Sequence, residues 1–302
     1  MLRIMLAAFA SLLALTLAQA APPARVFVAA QGSDANACTF AAPCRTFQKA
    51  HDTVAGGGEI DVLDPAGYGA LTINRSISIQ GHGFAGLAVP SGTGITIGSG
   101  VTVNLRGLLL DGVGTGSVGI ELSTASVLNI QDSLVRGFAL IGISVDPPAG
   151  ITSRLFVANT HVTDNLFGIQ IKPTGSGAAI GALDHVTVEN STTVNSAIGF
   201  FSGAFFTVSD SVVVGNSGIG ITVNATSTAV VVSINNCKIT NNNSGVEAVG
   251  NGAIVRLNRS TITLNNNDGF AAASGGLIYT YLDNYIDGNG PNLGSLTTVN
   301  KQ

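Results

Sequence analysis

The sequence predicts an all-β fold, a single-stranded right-handed parallel β-helix (a solenoid of about nine coils of ~25 residues) with a short N-terminal capping helix. The first observation behind this prediction is the composition. Charged residues make up only 10% of the 302 residues, and 39 residues are glycine. Long amphipathic helices need charged residues on their solvent-facing side. The abundant Val, Ile, Thr, Asn and Gly instead favour strands and tight turns.

The second observation is an internal repeat of the form G-I-x-I, whose glycines recur at a mean spacing of about 25 residues. The longest step runs from Gly168 to Gly199, and the shortest runs from Gly199 to Gly218. One unit has room for three short strands and three turns but no long helix, which predicts one coil paired in parallel with the next, about 4.8 Å away. The repeat glycines are Gly94, Gly119, Gly142, Gly168, Gly199, Gly218, Gly245 and Gly269.

The third observation is a pair of polar ladders at the turns. Asn and Asp tolerate a left-handed backbone, and stacked Asn side chains can bond from coil to coil. We therefore interpret these residues as turn formers rather than as general acids. One ladder is Asp132, Asn159, Asp184, Asp210, Asn236, Asn258 and Asn284, and the other is Asn165, Asn190, Asn216, Asn242, Asn265 and Asn289.

The N-terminal part of the chain divides into two segments before the β-helix of residues 59–302. Residues 1–20 have the pattern of a signal peptide, with Arg3, an apolar run and an Ala18-Gln19-Ala20 cleavage site. Residues 21–58 are a lead-in and capping segment, in which Phe47, Ala50 and Val54 lie on one face of a short helix. No later stretch predicts a membrane span, so we expect none after signal cleavage.

Export would permit a disulfide between Cys38 and Cys44, which are six residues apart. Cys237 then remains as a small core residue. No set of residues with the spacing of a metal site is visible around the cysteines. His161 and His185 fall in neighbouring coils, but two histidines alone make a weak metal site, and we interpret them as surface residues.

The lead-in segment resembles that of a known family. The residues that carry the resemblance are Gln31-Gly32-Ser33-Asp34, Ala42-Pro43-Cys44-Arg45-Thr46-Phe47-Gln48-Lys49-Ala50, Ile60-Asp61-Val62-Leu63 and Gly67-Tyr68-Gly69. They are similar to the start of right-handed parallel β-helix repeat proteins of the pectin-lyase-like superfamily. The resemblance covers the mature chain and implies a polysaccharide-facing surface, but fold alone does not assign activity.

The groove beside the G-I-x-I strand is where such proteins usually act. Its outward residues are expected to be Thr96, Glu121, Ser144, Gln170, Phe201, Gly220, Glu247 and Ala271. The candidate substrate-binding residues are Glu121, Asp146, Gln170, Lys172 and Phe201, and the Cα atoms of Glu121 and Asp146 should lie about 8 Å apart. A solvated charged face is the alternative for the polar residues, and packing under an enlarged turn at Glu189–Ile198 is the alternative for Phe201.

Two functions remain open at this point. The first is an exported β-helix protein that binds an extracellular or cell-envelope polysaccharide, with or without processing it. The alternative is a non-catalytic structural or adhesin-like surface protein. No cofactor is evident, and calcium has no specific support. The net charge of −4 and the absence of a basic stripe argue against nucleic acid as a partner. The signal peptide predicts a secreted or periplasmic location.

Overall fold

The computed structural model describes residues 21–300 and shows a parallel β-solenoid of about nine turns with a single short helix, as the sequence predicts. The predicted signal peptide lies outside the described residues. Within residues 21–300, no helix has the length and apolar character that a membrane crossing requires.

One face of the solenoid is a nine-stranded parallel sheet, built from the G-I-x-I strands. Its buried ladder runs through Ile95, Ile120, Ile143 and Ile169, each paired with the next coil. Its strands are β4 (Leu71–Ile73), β6 (Thr93–Ile97), β8 (Val118–Leu122), β11 (Ile141–Val145), β14 (Phe167–Ile171), β17 (Ser196–Phe201), β20 (Ile219–Asn224), β23 (Ser244–Val249) and β26 (Phe270–Ala273).

The rest of each coil belongs to a twenty-stranded sheet that bends around the other two sides. Apolar residues alternate inward along its strands, so the core between the two sheets is a continuous apolar stack. Its strands are β1 (Arg25–Val28), β2 (Gly58–Val62), β3 (Ala66–Gly67), β5 (Ile77–Ala88), β7 (Thr102–Asp111), β9 (Val127–Gln131), β10 (Leu134–Arg136), β12 (Thr152–Ala158), β13 (His161–Thr163), β15 (Ala178–Asp184), β16 (Thr187–Glu189), β18 (Ala204–Ser209), β19 (Val212–Val214), β21 (Val230–Asn235), β22 (Lys238–Thr240), β24 (Ala253–Asn258), β25 (Thr261–Thr263), β27 (Leu277–Thr280), β28 (Tyr285–Asp287) and β29 (Leu296–Thr298).

The N-terminal cap is the helix α1 (Phe47–Thr53). Its N-cap residue is Thr46, whose hydroxyl accepts a hydrogen bond from the Lys49 N–H at 3.2 Å. Phe47 is fully buried, with its ring centroid 5.1 Å from that of Tyr68. The lead-in segment also contributes a strand, because β1 pairs in parallel with β2. The Cys38–Cys44 disulfide is present, and Cys237 is free and buried, which confirms both predictions.

The predicted register of the repeat is wrong in two coils. Ile198 pairs with Ile169 and Ile221 pairs with Val246, so Ala197 and Gly220, not Gly199 and Gly218, stand at the repeat position. The numbers of residues between successive repeat positions from Gly168 to Gly245 are more even in the observed register than in the predicted one. The error has a physical origin, because the turn at 190–195 absorbs the extra residues and β17 already begins at Ser196.

The outer turn ladder is also displaced in three coils. The left-handed residues there are His185 (φ 51°), Arg259 (φ 47°) and Leu282 (φ 60°), not Asp184, Asn258 and Asn284. Asp184 and Asn258 are the last residues of their strands. The inner ladder is confirmed except in one coil, where buried Ser191 replaces exposed Asn190.

Candidate functional site

A cleft of about 350 Å³ lies on the outward face of the nine-stranded sheet, between β14 and β23. The sheet supplies its floor and the enlarged turn at 190–195 supplies one wall, since Asn195 belongs to that turn. The cleft is lined by Phe167, Gln170, Lys172, Asn195, Ser196, Phe201, Ile219, Thr222, Asn224 and Glu247.

Two outward rows of side chains cross this floor. The first row, in register across six coils, is Glu121, Ser144, Gln170, Gly199, Thr222 and Glu247. Phe201 was predicted in this row, but Phe200 pairs with Ile171, so Phe201 stands beside Lys172 in the next outward row. Gly220, also predicted to face outward, instead occupies the buried repeat position.

The aromatic ring of Phe201 folds back over Gly199. A Cβ atom at Gly199 would lie 2.7 Å from the Phe201 Cε2 atom, so any larger residue there would collide with the ring. Lys172 Nζ lies 5.7 Å from the centroid of the same ring. Phe201 is partly exposed, and Asn195 of the enlarged turn lines the same cleft. The gap that Gly199 leaves in the first row is therefore filled by an accessible aromatic surface.

The electrostatics of the cleft are set by one lysine and one glutamate. Lys172 is exposed and makes no salt bridge with any residue in the described part of the chain. Burial raises the pKa of the Glu247 carboxyl, and the negative charge of Asp268 raises it further. The neighbouring Thr222 hydroxyl opposes this shift, although it stands outside hydrogen-bonding geometry.

The five candidate residues are only partly brought together. Gln170, Lys172 and Phe201 all line the cleft, whereas Glu121 and Asp146 lie on the two preceding coils and do not. Glu121 accepts a hydrogen bond from the Thr93 hydroxyl at 3.4 Å. Asp146 is partly buried, its Oδ1 atom has no hydrogen-bond donor, and burial raises its pKa.

The sequence did not single out Asn195 and Asn224 as lining residues. Asn224 could have been found, because the correct register places it opposite Phe201. Asn195 lies in an irregular turn, and no periodic signal predicts which residues of such a turn reach back over a sheet.

A second group of potential ligands, which the sequence did not predict, lies on the outer turns. Atoms of Asp184, His185 and Asp210 lie within 4.8 Å of one another, which is the spacing a metal ion would require. The group also has protein partners, since Ser209 donates to Asp184 at 2.6 Å and His185 Nδ1 lies 3.0 Å from it. These bonds lower the pKa of Asp184. His161 lies apart, with Nε2 2.9 Å from a carboxylate oxygen of Glu189.

Comparisons with known proteins agree with the geometry of the fold. No family model and no curated protein sequence matches the chain. Among solved structures, pectate lyase Pel9A is similar at 13% identity over 89% of this chain and 79% of that chain, with a TM-score of 0.51. The A-module of the Azotobacter vinelandii mannuronan C-5 epimerase AlgE4 is similar at 15% identity over 82% of this chain and 91% of that chain, with a TM-score of 0.50. At these identities the similarity shows the fold alone, and the chain has the parallel β-helix fold of the pectin-lyase-like proteins.

Proposed function

We propose that the protein is exported and binds a polysaccharide in the cleft between β14 and β23. The observation that supports this most is the partly exposed ring of Phe201, whose edge atoms cover Gly199 in a cleft lined mainly by polar side chains. Sugar rings present an apolar face of C–H groups and an equatorial rim of hydroxyls. An aromatic surface bordered by hydrogen-bonding side chains matches both features.

The side chains around the ring support a sugar ligand in particular. Gln170, Asn195 and Asn224 can each donate and accept hydrogen bonds, as neighbouring hydroxyl groups require. Coils repeat at about 4.8 Å, so the outward side chains of successive coils form a regularly spaced row, which suits a polymer of repeating units. The unpaired ammonium of Lys172 would favour a polymer that carries carboxylate groups.

The two similar solved structures, a pectate lyase and a mannuronan epimerase, extend the proposal to processing of such a polymer. Glu247 is the residue most suited to proton transfer in such a reaction. Its raised pKa keeps the carboxyl protonated at a higher pH than that of an ordinary glutamate. Export is proposed from the sequence of residues 1–20, and the Cys38–Cys44 disulfide fits an oxidising compartment.

Glycan-array binding followed by affinity electrophoresis with the retained polymers would test the proposal. We expect Phe201→Ala to weaken binding by about tenfold or more, since an aromatic contact contributes on the order of 0.5–1.5 kcal/mol beyond its buried area. The matched control is Phe156→Ala, an exposed phenylalanine on the twenty-stranded sheet, which should bind normally.

Two results would reject the proposal. One is retention of no polysaccharide at all, which would leave the structural or adhesin-like alternative. The other is equal loss of binding in the Phe201→Ala and Phe156→Ala variants. Absorbance at the wavelength of unsaturated uronate ends, measured with the same polymers, tests lyase activity, and Glu247→Gln should abolish any such signal.

A further inference from the structure

A second cleft, of about 560 Å³, lies on the twenty-stranded sheet near the C-terminal end of the solenoid. It forms because one outward row changes from short to long side chains. Thr207 and Ser233 are followed in register by Arg256 and Tyr279. We call it the arginine cleft, and it is lined by Thr207, Ser233, Asn235, Arg256, Asn258, Arg259 and Tyr281.

Two arginines of this cleft carry charge that the protein does not neutralise. Arg25, Arg106 and Arg136 each form a salt bridge with a carboxylate. Arg256 and Arg259 form none with any of residues 21–300. The chain has a net charge of −4 and only 13 basic residues, and these two guanidinium groups place positive charge in a cleft whose own lining, within residues 21–300, holds no carboxylate.

Two aspartates lie close to Arg259, but neither forms a salt bridge with its guanidinium group. The Asp283 carboxylate accepts a hydrogen bond from the Arg259 backbone N–H at 3.2 Å. Asp210 lies on the far side of Arg259, in a neighbouring depression shared with Lys238, and accepts a hydrogen bond from the Asn236 amide. The arginine cleft itself is lined by no carboxylate of the described residues.

A neighbouring aromatic ring restricts the position of one of these guanidinium groups. The Arg256 guanidinium carbon lies 5.8 Å from the centroid of the Tyr279 ring, a contact that limits the freedom of the long side chain. A positioned guanidinium offers two parallel N–H donors, which match the oxygens of a phosphate, sulfate or carboxylate.

The remaining wall supplies neutral hydrogen-bonding groups. Thr207, Ser233 and Asn235 line it, with hydroxyl and amide groups that both donate and accept. Asn258 Nδ2 donates to Asn235 Oδ1 at 3.3 Å, whereas Asn258 Oδ1 is buried and has no donor within the described structure. A ligand hydroxyl at this end of the cleft would supply that missing donor.

We propose that the arginine cleft binds an oxyanion that is carried on a sugar: a phosphate ester, a sulfate ester or a carboxylate flanked by hydroxyl groups. The arginines recognise the oxyanion, and Thr207, Ser233, Asn235 and Asn258 contact the adjacent hydroxyls. This site lies on a different sheet from the cleft at Phe201, and its occupancy does not depend on the function proposed for that cleft.

Isothermal titration calorimetry of the mature chain tests the inference with five probes: glucose 6-phosphate, glucose 6-sulfate, glucuronate, glucose and inorganic phosphate. At least one of the three sugar anions should bind more tightly than both glucose and inorganic phosphate. Arg256→Gln should weaken that binding by about tenfold or more, because a hydrogen bond to a charged group is lost. Arg256→Lys keeps the charge but loses the paired donors, so its affinity should be intermediate.

Arg154→Gln is the matched control, since Arg154 is an exposed arginine on β12 of the same sheet, and it should bind normally. Lys172→Ala should also bind normally, which separates this site from the first cleft. If Arg256→Gln does not fold, Arg259→Gln takes its place.

The inference is overturned if no sugar anion binds more tightly than glucose, or if Arg154→Gln and Arg256→Gln lose affinity equally. Inorganic phosphate binding as tightly as the best sugar anion would also overturn it, because the hydroxyl contacts would then contribute nothing.

Discussion

At the scale of single residues, two aspartates respond to their surroundings in opposite ways. Burial raises the pKa of Asp146, whose Oδ1 atom has no hydrogen-bond donor. Hydrogen bonds from Ser209 and His185 lower the pKa of Asp184. A raised pKa in the folded state means that Asp146 contributes most to stability when protonated, and this contribution is lost as the pH rises through the folded-state pKa. For Asp184 the contribution is present above the unfolded-state pKa and is lost as the pH falls.

Replacing these two aspartates by asparagine should therefore have opposite effects on stability. Asp146→Asn removes an unfavourable charge, so we expect a higher melting temperature at pH 7 and little change near pH 3. Asp184→Asn removes a favourable charge and should lower the melting temperature at pH 7, again with less effect at low pH. Thermal denaturation of both variants and the wild type at the two pH values measures this. A loss of stability at pH 7 in Asp146→Asn would show that its carboxylate has a stabilising partner.

At the scale of the structural elements, the inner asparagine ladder ties successive coils together. Asn242 is fully buried, and its Oδ1 atom accepts from the N–H of Asn216 at 3.2 Å and from the Asn216 side chain at 2.8 Å. Its own amide donates to the Val213 carbonyl at 3.0 Å and to Asn265 Oδ1 at 3.2 Å. Each side chain thus satisfies polar groups of both neighbouring coils.

Asn242→Ala should destabilise the protein by about 3 kcal/mol or more, because each buried group left without a partner costs roughly 1–3 kcal/mol. The control is Asn266→Ala, since Asn266 is exposed in the following coil and should change the stability by less than about 0.5 kcal/mol. Urea denaturation measures both values. A cost below about 1 kcal/mol for Asn242→Ala would mean that water enters and replaces the lost bonds.

The repeating elements were more predictable from the sequence than the cleft. The regular period of the coils and the inner ladder follow from local backbone conformations that recur in every coil, so both appear as periodic patterns in the sequence. The cleft depends on Gly199, Phe201 and Asn195, which are exceptions to the period. Because Gly199 resembles a repeat glycine, counting glycines displaced the predicted register of β17 and placed Phe201 in the wrong row. The clustering of Arg256 and Arg259 likewise needs the three-dimensional register before it can be seen.

At the scale of the whole molecule, each coil packs only on its neighbours, and the first coil is covered by α1. The helix packs against β1, β2 and β4. Phe47 fills the space between the helix and the first coil, while Ile171 lies fully buried in the middle of the solenoid. In such a linear arrangement, the loss of a side chain should weaken the coils next to it more than distant ones.

Hydrogen exchange of Phe47→Ala and Ile171→Ala should therefore show two different local patterns. Both changes leave cavities, with expected costs of about 3–5 kcal/mol for the phenylalanine and about 2–5 kcal/mol for the isoleucine. In Phe47→Ala the amides of β2 and β4 should exchange faster, because the cap no longer protects the edge of the first coil, while β25 should remain protected. In Ile171→Ala the increase should centre on β11, β14 and β17, whose strands pair directly around Ile171. A uniform increase along the whole chain in both variants would contradict this expectation, because it would mean that the solenoid opens as one cooperative unit and that the cap and the central coils share a single stability.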